Sequence, residues 1–181
     1  MKIFFCGFMG SGKTYLMQNL RTRSEQSRNY WDFLDLDDCL FQQLKSQDDR
    51  HLGESIERLG WNKFREVEKS SLLEILSWKK NVCVSLGGGA LNSEVVKAIK
   101  EQAEVLLVWV DTPFQICFKR IQGDPIRPLA RKDEEQLSNI YLERLPLYQA
   151  AHVRLSELDH EMNGQNSIDL AQLVRKHVGS A

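Results

Sequence analysis

One run near the start constrains the chain most: Gly7-Phe8-Met9-Gly10-Ser11-Gly12-Lys13-Thr14. It follows an apolar stretch, Ile3 to Cys6, and fits the pattern G-x-x-x-x-G-K-[ST] without a mismatch. Glycine adopts backbone angles closed to other residues and lets a chain approach a ligand closely. With Gly7, Gly10 and Gly12 in place, the loop's N–H groups converge on an anion at the start of the next helix. Lys13 then reaches the β- and γ-phosphates of a nucleotide, and the Thr14 hydroxyl binds Mg²⁺. The nucleotide-binding run is predicted to be Gly10, Ser11, Gly12, Lys13, Thr14 and Tyr15. A strand before and a helix after are the context this loop requires, and a plain glycine-rich turn gives no reason for the Lys-Thr ending.

The 181 residues suffice for one domain with a full core. Basic residues number 24 and acidic residues 25, a net charge of −1. No basic excess is available to neutralise a nucleic-acid backbone, so nucleic acid is not the expected partner. No apolar run approaches the roughly 20 residues of a membrane span. Met1 leads directly into the first strand, leaving no room for a signal peptide, so a cytoplasmic protein with no membrane partner is expected. Cys6, Cys39, Cys83 and Cys117 lie far apart without a C-x-x-C pair and read as reduced thiols. His51, His152, His160 and His177 lack metal-ligand spacing and carry no predicted chemistry.

Short apolar strands alternate with amphipathic helices, which predicts a parallel sheet covered on both faces. The helix after the loop runs from Thr14 to about Arg23, with Leu16 and Leu20 as its stripe. A second strand spans Trp31 to Leu36, and period two puts Phe33, Asp35 and Asp37 on one face. Strand C-termini line the ligand crevice of such a sheet. Asp35 and Asp37 are therefore candidates to face the phosphates, or else solvated acids of a polar turn. Residues 38–60 are polar, broken by Gly53 and Gly60, and long for a connection. They read as one or two short helices of a substrate-side insertion.

Trp61 to about Trp78 is a strong helix, with Phe64, Glu68, Leu72, Ile75 and Leu76 recurring on one stripe. Arg65 and Glu68 stand three apart and can meet; Arg65 lies beside the stripe, aimed inward. The third strand, Asn81 to Leu86, ends in Gly87-Gly88-Gly89, where a ligand can touch the backbone. A helix from Ser93 to Glu101 leads to an apolar, central fourth strand, Glu104 to Val110. Thr112-Pro113-Phe114-Gln115 reads as a capping box opening a helix to about Gln122, with Phe114, Cys117, Phe118 and Ile121 toward the core. Pro125 and Pro128 stiffen a loop around Arg127, suited to closing over phosphate charge. Asp133 to Gln136 caps a helix with Leu137, Ile140, Tyr141, Arg144 and Tyr148 on one stripe. An arginine there either snorkels out or meets an anion. Pro146 is expected to kink or end that helix. His152 to Ser156 forms a fifth strand, Leu158 to Asn166 a polar loop, and Ser167 to Val178 a final helix closed by Gly179.

The glycine loop fixes a nucleoside triphosphate and leaves the acceptor open. The Asp pair adds Mg²⁺–water positioning and a general base for a hydroxyl. Two inward guanidiniums suit a carboxylate. The acceptor predicted from these groups is a small molecule carrying both a hydroxyl and a carboxylate.

Taken together the motifs resemble those of the shikimate kinase family. They are Gly7 to Thr14, Asp35-Leu36-Asp37, Phe64-Arg65-Glu66-Val67-Glu68, Ser85-Leu86-Gly87-Gly88-Gly89, Ile126-Arg127-Pro128-Leu129 and Arg144-Leu145-Pro146-Leu147-Tyr148, in the family's order from Met1 to about Ala151. The resemblance implies ATP-dependent phosphorylation of the 3-hydroxyl of shikimate, giving shikimate 3-phosphate and ADP on the route to chorismate and the aromatic amino acids. It implies the α/β fold of the nucleoside monophosphate kinases over residues 1–181, with a five-stranded parallel sheet in order 2-3-1-4-5. The substrate-binding helical segment would fall at about 38–62 and the lid at about 123–132. By the same resemblance Lys13, Asp37 and Arg127 serve catalysis, with Asp37 as candidate base. Thr14 and Asp35 hold Mg²⁺. Asp37, Arg65, Gly88, Gly89 and Arg144 bind shikimate, Glu68 orienting Arg65. Arg120 stacks on adenine and Arg127 comes down on the ATP phosphates. Family habit implies a monomer.

Three places depart from the family pattern. Gly60-Trp61 stands where Gly-Glu is common; the lid offers only Arg127 and Arg131; and Asp159 to Asn166 lacks an arginine that many members place near adenine. A gluconate-kinase-like enzyme is the nearest alternative. A nucleotide switch of the GTPase kind is another, but Asn62-Lys63-Phe64-Arg65 lacks the Asp of N-K-x-D. A non-catalytic ATP binder is the third, set against the presence of Lys13, Thr14, Asp35 and Asp37.

Overall fold

Four successive apolar residues, Ile3 to Cys6, need cover on both faces of a strand, and this demand fixes the centre of the molecule. The structure, a computed structural model, describes residues 1–26, 31–124, 126 and 128–156. Arg127, the loop expected at 158–166 and the helix expected at 167–178 lie outside the described residues. The strands are β1 (Lys2–Cys6), β2 (Asp32–Asp35), β3 (Val82–Ser85), β4 (Val105–Asp111) and β5 (Val153–Ser156). They form one sheet in the order β2-β3-β1-β4-β5, the order the resemblance implied, with every neighbouring pair parallel, as the alternation of strands and helices predicted.

Parallel neighbours need crossovers, and helices supply them. These are α1 (Lys13–Gln26), α2 (Leu36–Leu44), α3 (Leu52–Leu59), α4 (Trp61–Ser77), α5 (Ser93–Lys100), α6 (Phe114–Ile121) and α7 (Glu134–Gln149). Alternation along β1 sends Phe4 and Cys6 to one core and Ile3 and Phe5 to the other. The first core includes Leu72 and Ile75 of α4, Val95 and Ile99 of α5 and Tyr148 of α7. The second includes Leu16, Met17 and Leu20 of α1. Burial of one such side chain is worth about 1.5–3 kcal/mol, more than the helix propensity of any residue but proline, so packing holds these helices in place. No helix among the described residues is long and apolar enough to cross a membrane.

Three local expectations are corrected. The second strand stops at Asp35 rather than Leu36, because Asp35 accepts the Asp37 N–H and caps α2. Thr112 does not cap α6: its buried hydroxyl donates instead to the Ser11 carbonyl at 2.8 Å. Pro146 does not end α7, which runs on to Gln149. So near the C-terminus a proline forfeits a single helical hydrogen bond. The capping of α7 by Asp133, whose carboxylate accepts the Gln136 N–H at 2.8 Å, is as predicted.

Register sets the site. Phe5 and Asp35 both pair with Ser85, while Cys6 pairs with Trp109. The glycine loop, the end of β2 and the triple glycine after β3 therefore emerge side by side along one sheet edge.

Candidate active site

The glycine loop connects β1 to α1. Gly7, Gly10 and Gly12 have φ of +142°, +79° and +93°, a region that favours glycine. Space adds a second requirement: a Cβ would sit 2.6 Å from the Val110 carbonyl oxygen at Gly7, and 2.6 Å from that of Cys117 at Gly10. Lys13 is buried and donates Nζ to the carbonyls of Gly7 and Phe8 at 2.9 Å each, with Ser11 Oγ at 3.4 Å. The ammonium is thus fixed within the curve of the loop. Arg120 of α6 donates Nη1 to the Gly10 carbonyl at 3.3 Å, which lays its guanidinium along the same loop. Tyr15 is exposed one residue beyond Thr14.

At the mouth of the loop the Thr14 hydroxyl donates to Asp35 Oδ2 at 3.2 Å, while Asp35 Oδ1 accepts the Asp37 N–H at 3.0 Å. Both Asp35 oxygens are held, one by each side of the crevice. Hydroxyl and carboxylate are the hard oxygen donors that suit Mg²⁺, which keeps most of its shell as water and phosphate. Among the described residues no three His, Cys, Asp or Glu side chains form a ready-made metal cage. The donor set fits an ion that arrives with a nucleotide.

Beside this edge lies a cavity of about 500 Å³, walled by α2, α3, the start of α4 and the triple glycine. Thr14, Asp35, Asp37, Arg65, Gly88, Gly89 and Arg144 all line it, so the structure brings these predicted residues together. Asp37 comes from the first turn of α2, and a Cβ at Gly87 would meet its Oδ1 at 2.6 Å. Glycine at 87 is what leaves room for that carboxylate. Arg65 of α4 is hydrogen-bonded through Nη1 to Glu68 Oε2. Arg144 of α7 donates Nη1 to the Gly88 carbonyl at 3.1 Å. A Cβ at Gly89 would stand 2.5 Å from Arg65 Nη2 and 2.8 Å from Arg144 Nη2, so two guanidinium ends converge over a bare backbone.

The electrostatics follow from burial. Burial pushes the Glu68 carboxyl up, with the charges of Arg65 and Arg144 pulling the other way. Its Oε1 is buried without a hydrogen-bond partner among the described residues. Burial likewise lowers Arg144; Tyr148 and Glu68 oppose this, while the like charge of Arg65 adds to it. Two facing cations, one largely desolvated, make the spot over Gly89 attractive to an anion.

The wall made by α2 and α3 is braced internally. Asp49 accepts from Arg58, from the Ser46 N–H at 3.0 Å and from Ser55 Oγ at 2.8 Å, and the Arg58 hydrogen bonds hold its carboxyl well below the usual range. His51, given no role in the sequence, caps α3: its Nδ1 accepts the Glu54 N–H at 3.3 Å, and the residue lines the cavity. Past α6, a 3₁₀ turn (Pro128–Arg131) packs toward α3, and a Cβ at Gly53 would lie 2.6 Å from the Ile126 carbonyl oxygen. Arg131, one of the two arginines of the lid segment, is paired with Glu57 of α3 at 2.8 Å. The most informative contact missed in the sequence is Tyr148, whose hydroxyl donates to the Gly88 carbonyl that also accepts Arg144. Its apolar-stripe position concealed that polar end. The cysteines read as thiols are free, and burial pushes Cys6 up to about 12, which keeps it protonated.

Comparison with known proteins finds relatives of one family. The family model described as shikimate kinase matches residues 9–176. A shikimate kinase from Persephonella marina is 31% identical over 155 residues, covering 85% of this chain and 87% of that protein. One from Staphylococcus haemolyticus is 31% identical over 148 residues, covering 81% and 78%. Among solved structures, shikimate kinase from Acinetobacter baumannii in complex with shikimate superposes with a TM-score of 0.74 at 26% identity, over 99% of this chain and 93% of that one. That from Bacteroides thetaiotaomicron gives 0.73 at 24% identity, over 99% and 98%, a likeness of fold.

Proposed function

The chain belongs to the shikimate kinase family, and on that premise we propose that it transfers the γ-phosphoryl group of ATP to the 3-hydroxyl of shikimate, releasing ADP and shikimate 3-phosphate. The observation that carries the choice of acceptor is the convergence of Arg65 and Arg144 above Gly89, beside the Asp37 carboxylate. A carboxylate seated on the two guanidiniums is held at two points, which fixes the orientation of the ring it belongs to. Asp37, whose carboxylate lies against Gly87, then accepts hydrogen bonds from the ring hydroxyls and takes the proton of the attacking one. Oriented this way, acceptor and donor meet as in an intramolecular reaction.

On the donor side the glycine-loop N–H groups cradle the phosphates and Lys13 follows the transferring group. Arg120 lies against the loop on the side of α6 and is assigned to the adenine end, with Tyr15 flanking the cradle. Thr14 and Asp35 hold Mg²⁺, which when bound neutralises charge developing on the phosphoryl oxygens. Arg127 adds positive charge from the lid. The segment at 38–62 serves acceptor binding and that at 123–132 serves closure, in a single domain. The enzyme works as a cytoplasmic monomer with no nucleic-acid or membrane partner.

Titration calorimetry with the acceptors tests the assignment. Shikimate binds the wild type and binds Arg65→Ala at least tenfold more weakly, whereas gluconate gives no saturable heat. Equal binding of gluconate and shikimate contradicts it.

A further inference from the structure

Trp61 is the first residue of α4, set there by Gly60, whose φ of +82° turns the chain out of α3. Its indole lines the acceptor cavity and is 39% exposed at its rim, so little core packing explains it. The ring is placed against one side chain in particular. The Arg65 guanidinium carbon lies 5.1 Å from the Trp61 ring centroid and 5.2 Å from that of Phe64. The two rings meet edge to face at 5.9 Å and 83°, a right-angled corner. Glu68 holds the same guanidinium through Nη1. Two ring contacts and one carboxylate leave Nη2 as the end directed at Gly89. Arg65 sits four residues after Trp61, one helical turn on, so the contact costs no loop ordering.

We propose that Trp61 is a positioning residue for the acceptor's carboxylate: it holds the plane of the Arg65 guanidinium so that Nη2 faces the anion. The proposal rests on the reading of Arg65 as a carboxylate ligand. An aromatic face attracts a guanidinium and restricts its rotation without supplying a competing anion. Trp61 therefore fixes the arginine while leaving its charge for the substrate. The effect belongs to shikimate affinity and leaves ATP handling unchanged.

The test is a double-mutant cycle read as KM for shikimate, KM for ATP and kcat. The variants are Trp61→Leu, Trp61→Phe, Arg65→Ala and the pair Trp61→Leu/Arg65→Ala, with thermal unfolding confirming the fold of each. Trp61→Leu raises the shikimate KM by roughly three- to twentyfold, the span of a cation–π contact at a partly desolvated site. The ATP KM and kcat stay within about twofold, and Trp61→Phe, which keeps a ring, recovers most of the loss. In the Arg65→Ala background Trp61→Leu adds less than about twofold, because its target is gone. An equal rise in both backgrounds, a rise in the ATP KM, or no rescue by phenylalanine overturns the positioning role while leaving Arg65 as the ligand. An Arg65→Ala enzyme with unchanged shikimate KM overturns that underlying reading, and the proposal with it.

Discussion

Arg65 and Arg144 come from α4 and α7, yet each directs its Nη2 to the same spot over Gly89, where an added Cβ would lie 2.5 Å from one and 2.8 Å from the other. Gly89 has no positive φ, so an alanine there meets no backbone strain. It collides only with the two guanidinium ends. Gly89→Ala should therefore raise the shikimate KM by roughly tenfold, the effect of about 1.4 kcal/mol, with the ATP KM unchanged. A proportional rise in both constants would place the convergence outside the acceptor site.

Arg65→Ala removes a charge-assisted contact worth about 1.5–3 kcal/mol, so the shikimate KM should rise by roughly ten- to a hundredfold. Arg144→Ala should do the same and also remove one of the two donors to the Gly88 carbonyl, leaving the Tyr148 hydroxyl on it. Steady-state kinetics with shikimate varied at saturating ATP measures both.

Asp37→Asn keeps the shape of the side chain and removes its basicity. Here kcat should fall by roughly 10²–10⁴, the usual contribution of a positioned base. Lys13→Ala should lower kcat by at least about 10², as expected for loss of a group that stabilises developing charge. Single-turnover measurements separate these losses from product release. A Lys13→Ala enzyme with near-normal turnover would remove that residue from the catalytic machinery.

Glu68 provides a pH test. Its carboxyl is raised above the ordinary 4.5 by burial, against the pull of Arg65 and Arg144. Between 4.5 and its raised value the folded state binds more protons than the unfolded one, so this group's contribution to stability falls as pH rises through that window. Glutamine cannot ionise. The Tm difference between Glu68→Gln and wild type should therefore move in the variant's favour as pH climbs from 4.5 toward neutrality. Thermal melts across that range check the sign, and a difference independent of pH contradicts it.

Local chemistry was legible in the sequence wherever neighbours along the chain determine the outcome. Lys13 and Thr14 follow from a contiguous motif, the Arg65–Glu68 pair from helical spacing, and Arg144 from a charge on an apolar stripe. The sheet order needed the family resemblance, since alternating strands and helices fit several orders. What escaped was set by contacts across long stretches of chain. Thr112 reads as a cap until the Ser11 carbonyl, 101 residues away, takes its hydroxyl. Gly88 reads as a free backbone contact until Arg144 and Tyr148, 56 and 60 residues on, are found bonded to its carbonyl. Leu36 fits a strand by alternation, but the Asp35 cap turns the chain into a helix there. Nothing local reveals that Arg131, one of the two arginines of the lid segment, pairs with Glu57, 74 residues earlier in the chain.

Formation of ADP with shikimate as sole acceptor, with the phosphate located on the product by ³¹P and proton NMR, tests the central assignment most directly. The expected result is Mg²⁺-dependent release of one ADP per shikimate consumed, phosphate on the 3-hydroxyl, and no release with gluconate or with Lys13→Ala. A folded, ATP-binding protein that releases no ADP in the presence of shikimate, or that places the phosphate on another hydroxyl, would contradict it.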